Sequence, residues 1–169
     1  MNKKIFLLFI FILSCVFQTS NAIEKIAYVD VDYILNKSNK GIEIYKELEE
    51  ENQKIITLLK IKEKEIKDDE SKLKKTQNVI SEEEFKKKVK ILNDKVKKFR
   101  IQKKKLVKEF NKKKKEDTMQ LIKLINPIIE DYLKINSINI VFDKRNIYIG
   151  SNSSDITSQI FDLVNTNIK

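Results

Sequence analysis

The chain has 169 residues, 36% of them charged, with 35 Lys or Arg against 25 Asp or Glu, a formal net charge of +10, no His and a single Cys. That leaves no histidine for general-base or metal-ligand work, and no second thiol with which Cys15 could form a disulfide within the chain. Only 2 Gly and 1 Pro are present, and neither type falls between Gly41 and Pro127, so the sequence predicts a helix-rich, elongated molecule and excludes a turn-rich compact one.

At the start, Lys3 and Lys4 precede an apolar run from Ile5 to Leu13, and Ser20-Asn21-Ala22 supplies small residues at a cut site. This layout predicts a secretory signal peptide over residues 1–22, cleaved after Ala22. A lipoprotein signal ending at Cys15 is the competing reading; Leu13 suits it poorly, and Val16 and Phe17 continue the apolar run. A membrane span needs about 20 apolar residues, more than this run provides. Cleavage would remove Cys15, Lys3 and Lys4 and leave a thiol-free chain that is still strongly basic. An exported basic protein suits acidic polypeptides, anionic lipid or envelope polymers as partners.

Ile26-Ala27-Tyr28-Val29-Asp30-Val31 alternates as a strand does, and residues 32–39 lead into a helix expected to begin near Gly41. On a strand, Asp30 and Asp32 would share one face and could hold a divalent cation. With no third oxygen ligand nearby, turn and cap roles at the strand exit are favoured over a metal.

From Tyr45 the chain enters a heptad pattern. Tyr45, Leu48, Ile55, Leu59, Ile66, Leu73 and Ile80 fall on one seam, with Asn52, Lys62, Asp69 and Thr76 in the remaining slots. After a polar reversal at 77–81, Phe85, Val89, Leu92, Val96, Phe99, Leu106 and Phe110 continue in steps of four and three, interrupted at Lys103. Ser81-Glu82-Glu83-Glu84 is a capping-box pattern that starts the second limb. Each limb has one narrow apolar stripe, so each is the simplest partner for the other, and an antiparallel coiled-coil hairpin follows. Phe85, Phe99 and Phe110 read as seam residues by their spacing. Glu43 to Glu70 holds ten acids and six lysines, whereas Phe85 to Glu116 holds sixteen Lys or Arg against Asp94, Glu109 and Glu116. Attraction between the limbs should favour the antiparallel pairing without neutralising the second limb.

Leu121, Ile122, Leu124, Ile125, Ile128, Ile129, Tyr132 and Leu133 are too widely distributed around a helix for one seam, so the arm should enter a packed body there, with Pro127 bending it. Residues 138–142 read as a buried strand and 146–149 as a second, joined tightly through Asp143-Lys144-Arg145. Residues 150–154 read as loop and include a short glycosylation-like Asn-x-Ser pattern at Asn152. Asp155 is expected to cap a last helix with Ile156, Ile160, Leu163 and Val164 on its apolar side. The organisation is therefore a body from 23–40 and 120–169, carrying a helical arm over 41–119. Ile26, Tyr28, Val29, Ile140, Phe142, Ile147 and Ile149 are its expected oligomer-forming residues, because a core this small with unpaired strand edges calls for further copies.

The block Ile26 to Val31, together with Asn126-Pro127-Ile128, Ile140-Val141-Phe142-Asp143-Lys144 and Asp155-Ile156-Thr157, resembles the periplasmic Skp/OmpH chaperone family. The resemblance covers the chain after the signal, with specific blocks at both ends and only pattern in the arms. It implies a mainly α fold with a small β body: a jellyfish-like homotrimer whose intertwined strands form a barrel-like body and whose three hairpin arms surround a cavity. It also implies that unfolded outer-membrane proteins are held in the periplasm without ATP; neither glycine belongs to a phosphate-binding loop, and no cofactor is expected. A lipopolysaccharide site is proposed in that family, but the lysines here are too dense to match to it individually.

Within such a chaperone the electrostatic client-binding residues would be Lys86, Lys87, Lys88, Lys90, Lys95, Lys97, Lys98, Arg100, Lys103, Lys104 and Lys105, acting through their collective field. Ile61, Ile91, Ile101 and Val107 lie off the seam and are candidate apolar contacts. Anionic lipid is a further candidate partner. A structural coiled-coil tether in the envelope is the alternative reading, but it has no need of the acidic-to-basic asymmetry. Nucleic-acid binding is disfavoured by the export signal, the scarcity of Arg and the lack of aromatic stacking platforms. Nothing assembles a nucleophile, base and oxyanion site, so no enzymatic activity is expected.

Overall fold

The computed structural model describes residues 24–168; the predicted signal peptide and its cut after Ala22 lie outside them. The chain runs β1 (Ile26–Val29), α1 (Val31–Lys37), α2 (Asn39–Thr76), α3 (Glu82–Ile135), β2 (Ile140–Asp143) and α4 (Thr157–Asn167), with single 3-10 turns at Lys144–Asn146 and Asn152–Ser154. None of the described helices is long and apolar enough to cross a membrane.

The first helix begins earlier than expected. Asp30 ends β1, and its carboxylate accepts from the Tyr33 N–H at 2.8 Å, so α1 starts at Val31 and not near Gly41. The Asp-x-Asp pair is therefore not displayed on a strand: Asp30 caps a helix, and Asp32 in its first turn reaches Arg145 at 3.3 Å. Fully buried Ser38 separates α1 from α2, and its hydroxyl oxygen accepts from the Gly41 N–H at 3.2 Å. A Cβ at Gly41 would collide with the carbonyl of Leu35, which is why glycine stands at this corner.

α2 and α3 pack antiparallel, and the seam emerges as the heptads predict. Every slot from Tyr45 to Thr76 is at least half-buried on α2, as are Ile80 in the reversal and Phe85, Val89, Leu92, Val96, Phe99, Leu106 and Phe110 on α3. One slot is corrected: Gln102 faces the partner limb, whereas Lys103 is exposed. An α-helix drifts relative to a strict 3.5-residue repeat, and an uncharged amide costs less to desolvate than an ammonium. At the reversal, Ser81 caps α3 by accepting from the Glu84 N–H at 3.3 Å. Only that half of the capping box forms, because the Glu84 carboxylate pairs with Lys88 at 3.0 Å.

α3 spans 54 residues, roughly 80 Å at 1.5 Å per residue, and passes through Pro127 without ending. It ends in a Schellman motif. Ser137 takes the left-handed conformation at φ 52°, its N–H donates to Lys134 O at 3.3 Å, and the Ile138 N–H donates to Leu133 O at 2.9 Å. This turn drives Ile138 into the core and aims the chain at β2.

β1 and β2 are parallel, pairing Ile26 with Ile140, Ala27 with Val141, Tyr28 with Phe142 and Val29 with Asp143. Parallel neighbours need a long crossover, and here the whole helical hairpin serves as one. On the far side of β1, the Ile156 N–H donates to Tyr28 O at 3.0 Å. The expected second strand at 146–149 does not form among the described residues: the chain turns through Lys144–Asn146 and leaves Tyr148 and Ile149 97% and 83% exposed. Strand conformation needs a neighbour to pair with, and these residues have none among the described residues. Ile156, not Asp155, is the N-cap of α4, although Asp155 accepts from the Thr157 N–H at 2.9 Å. The core gathers Ala27, Val29, Ile34, Leu35, Leu121, Ile125, Ile129, Ile138, Ile156, Ile160 and Val164, joining both ends of the chain around the base of α3.

Candidate functional site

The basic limb of α3 sorts into cations that hold the hairpin and cations that do not. Glu82 to Glu84 lie one turn before the first lysines, where the helix dipole favours anions, and two of them pair along the helix: Glu82 with Lys86 at 2.5 Å and Glu84 with Lys88 at 3.0 Å. Lys105 lies 3.8 Å from Glu109. Lys95 crosses to the acidic limb, with its Nζ 2.6 Å from Asp69 and 3.9 Å from Glu65. Further down, Lys113 crosses to Glu51 at 2.8 Å. The Lys95 hydrogen bond holds the Asp69 carboxyl below its usual value, and the same bond raises Lys95. Lys113 is raised likewise by its bond to Glu51.

Lys87, Lys90, Lys97, Lys98, Arg100, Lys103 and Lys104 are exposed and reach no carboxylate within ion-pair distance among the described residues. They leave the second limb electropositive after the hairpin has formed. Lys95, which the sequence groups with them, is half-buried and bridges the limbs, while Lys86, Lys88 and Lys105 are exposed but partnered.

Ile61, Ile91, Ile101 and Val107 are all exposed, as expected of off-seam residues. They do not form one patch. Ile91 lines a cleft between the limbs near the reversal, of about 240 Å³, with Leu73, Thr76 and Leu92. Ile61 joins Leu58 and Thr57 on a shallow surface belonging to α2 alone. Ile101 and Val107 line neither surface. Phe85, Phe99 and Phe110 are half-buried at the seam, where their spacing puts them.

In the body, Ile26, Ile140 and Phe142 are exposed on the sheet face turned away from Ala27, Val29 and Val141, which pack toward the core. Ile149, seven residues after Phe142, is exposed, and Ile147 is half-buried. Tyr28 and Val29 are already buried by their own chain, and the Tyr28 hydroxyl donates to Ser151 O at 3.2 Å. Neither is free to be covered by another copy to any extent. Tyr148, the most exposed large apolar residue among those described, was not among the expected oligomer-forming residues.

A charged network ties these segments together. Arg145 holds Asp143 at 2.7 Å and Asp32 at 3.3 Å, and Lys144 reaches Asp155 at 3.2 Å and Asp30 at 3.9 Å. The Arg145 guanidinium keeps the Asp143 carboxyl below the usual range. At Asp155 burial pushes the other way, but hydrogen bonds from Thr157 and Lys144 outweigh it and lower the carboxyl. These acids serve cations of the same chain, and no cluster of three or more metal-ligating side chains occurs among the described residues.

The chain matches the family described as Outer membrane protein (OmpH-like) over residues 25–163. Its fold is similar to the crystal structure of a proposed outer membrane chaperone (OmpH-like) from Caulobacter crescentus CB15, with a TM-score of 0.77 at 14% identity, covering 88% of each chain. No curated protein matches it in sequence.

Proposed function

Because the chain belongs to the OmpH-like family, a family that supports a chaperone role, we propose that it is an ATP-independent periplasmic holdase. It captures unfolded outer-membrane proteins between basic helical arms and keeps them from aggregating. The observation that carries this reading is the surplus of unpaired cations from Lys87 to Lys104 on an arm whose seam is already satisfied by its own partner limb. Such a field attracts acidic unfolded segments without fixing their sequence, and its weak individual contacts permit release.

The working unit in this reading is a homotrimer, exported by cleavage after Ala22. Support comes from the body: among the described residues nothing pairs with the outer edge of β2, and Ile26, Ile140, Phe142, Tyr148 and Ile149 are large apolar side chains that one chain leaves exposed to water. Copies meeting through that face would place several arms around a common space. The division into a body of 23–40 and 120–169 and an arm of 41–119 belongs to the same proposal. Anionic lipid or lipopolysaccharide would be a secondary partner of the same cations.

The test is to dilute a urea-unfolded outer-membrane β-barrel protein into nucleotide-free buffer with and without this protein and follow light scattering, with the mass of the protein measured in parallel. Suppression at near-stoichiometric ratios by a trimer is expected. Unchanged scattering, or a monomeric mass, would contradict the proposal.

A further inference from the structure

Two clefts open along the hairpin and share Lys95. The one nearer the reversal has Leu73, Ile91 and Leu92 as its apolar wall and a rim of Lys72, Lys88 and Lys95 against a single carboxylate, Asp69, so the rim carries a net positive charge. The second, about 260 Å³, lies toward the body between Ile66 and Phe99, edged by Lys62, Lys95 and Lys98 against a single carboxylate, Glu65. Because Lys95 belongs to both, the clefts lie on one flank of the arm. Ile91 and Lys98 occupy equivalent places seven residues apart, so the clefts repeat after about two helical turns, roughly 10 Å. Ile91 contributes little to the coiled coil: it is off the seam and 67% exposed. Ile101 and Val107, equally off the seam, line neither cleft.

We infer that this flank is the docking surface for an extended polypeptide segment in which an apolar and an acidic side chain recur about every three residues. The inference rests on the holding role proposed above and specifies where and by what chemistry a client is gripped. The apolar wall stabilises a side chain that leaves water, and the lysine rim supplies donors for carboxylates beside it. Lys72 has no carboxylate within ion-pair distance among the described residues; Lys88 and Lys95 are engaged by Glu84 and Asp69, but each ammonium has three donors and can be shared. An extended chain in the polyproline II conformation brings every third side chain back to the same side after about 9 Å, close to the repeat of the clefts. A cleft of about 240 Å³ bounded by lysines at both ends suits single side chains better than the continuous apolar track an acyl chain needs, so polypeptide is favoured over lipid.

The experiment uses the absence of any thiol other than Cys15. In a Cys15→Ser background, single cysteines are introduced as Ile91→Cys, Ile101→Cys and Val107→Cys, all at exposed positions, and their rates of maleimide modification are compared. The probes are an unfolded outer-membrane β-barrel protein, a synthetic (Leu-Asp-Ser) repeat peptide, the same peptide with Lys for Asp, and phosphatidylglycerol vesicles. Saturating unfolded protein or acidic peptide is expected to slow modification at position 91 about tenfold and to leave positions 101 and 107 within about twofold, while the Lys peptide does nothing. Equal protection at all three positions, or protection at 91 by the vesicles alone, overturns the inference while leaving the holding role intact. Failure of the Cys15→Ser protein to suppress aggregation at all overturns the holding role, and this inference with it.

Discussion

Lys95 on α3 reaches across the hairpin to Asp69 on α2, Nζ to Oδ2 2.6 Å, and Lys113 makes the same reach to Glu51 at 2.8 Å. The two bridges are separated by the same number of residues on both limbs, so the pairing register does not slip between them. Lys95→Asp should therefore lower the thermal midpoint of the helical signal at low salt by placing a third acid beside Asp69 and Glu65. Adding Asp69→Lys should recover most of the loss. Exposed pairs are screened, so the difference should shrink as salt is added. A double variant no better than the single one would show that the bridge does not bear on register.

The end of α3 offers a gain. Ser137 holds φ 52° at the position where a Schellman motif ordinarily has glycine, a conformation that costs an L-residue about 1 kcal/mol. Ser137→Gly should stabilise the chain by about 0.5–1 kcal/mol, read from urea midpoints at unchanged slope. A lower midpoint would mean that the Ser137 side chain contributes more than its backbone strain costs.

Core and outer face should respond differently to substitution. Ile160 is fully buried among the core residues, and Ile160→Ala should cost about 2–4 kcal/mol at any protein concentration. Tyr148 and Ile149 bury almost nothing within the chain, so Tyr148→Asp with Ile149→Asp should leave the secondary structure in place and lower the mass in solution. An unchanged mass by light scattering would remove this face from the proposed interface.

Acid should loosen the body through Asp143 and Asp155. Both carboxyls are lowered in the folded chain, Asp143 by Arg145 and Asp155 by Thr157 and Lys144 against the effect of burial. A carboxyl lowered on folding contributes stability that is complete above its unfolded value, near 3.8, and is lost as pH falls through the lower folded value. Stability should decline below about pH 4, and Asp143→Asn should be less stable at neutral pH but flatter in acid. An identical acid profile for that variant would assign the pH dependence to other groups.

How much the sequence reveals depends on what each element needs from its surroundings. The seam from Tyr45 to Phe110 was legible because repeated spacing over many turns reports burial directly, and it failed only at Gln102, where accumulated drift shifts the slot by one residue. α1 was missed because Val31, Ile34 and Leu35 span too few residues for periodicity to separate helix from strand exit. Residues 146–149 have strand-like composition, but a strand is defined by its neighbour, and none lies among the described residues. At the candidate site, the abundance of lysine was plain, whereas its division into bridging and unpaired cations was not. Lys95 and Lys98 look alike in sequence, and only the partner limb's acids at Asp69 and Glu65 set Lys95 apart.

In the proposed mechanism, unpaired cations on the second limb capture acidic unfolded segments. Affinity for an unfolded outer-membrane β-barrel protein, measured by fluorescence anisotropy from about 10 mM to about 150 mM ionic strength, tests it most directly, since the screening length falls from roughly 30 Å to about 8 Å across that range. The dissociation constant is expected to weaken about tenfold or more, and to be weaker still when Lys97, Lys98, Arg100, Lys103 and Lys104 are replaced by Gln. An affinity indifferent to both salt and that replacement would contradict electrostatic capture and assign binding to apolar contacts alone.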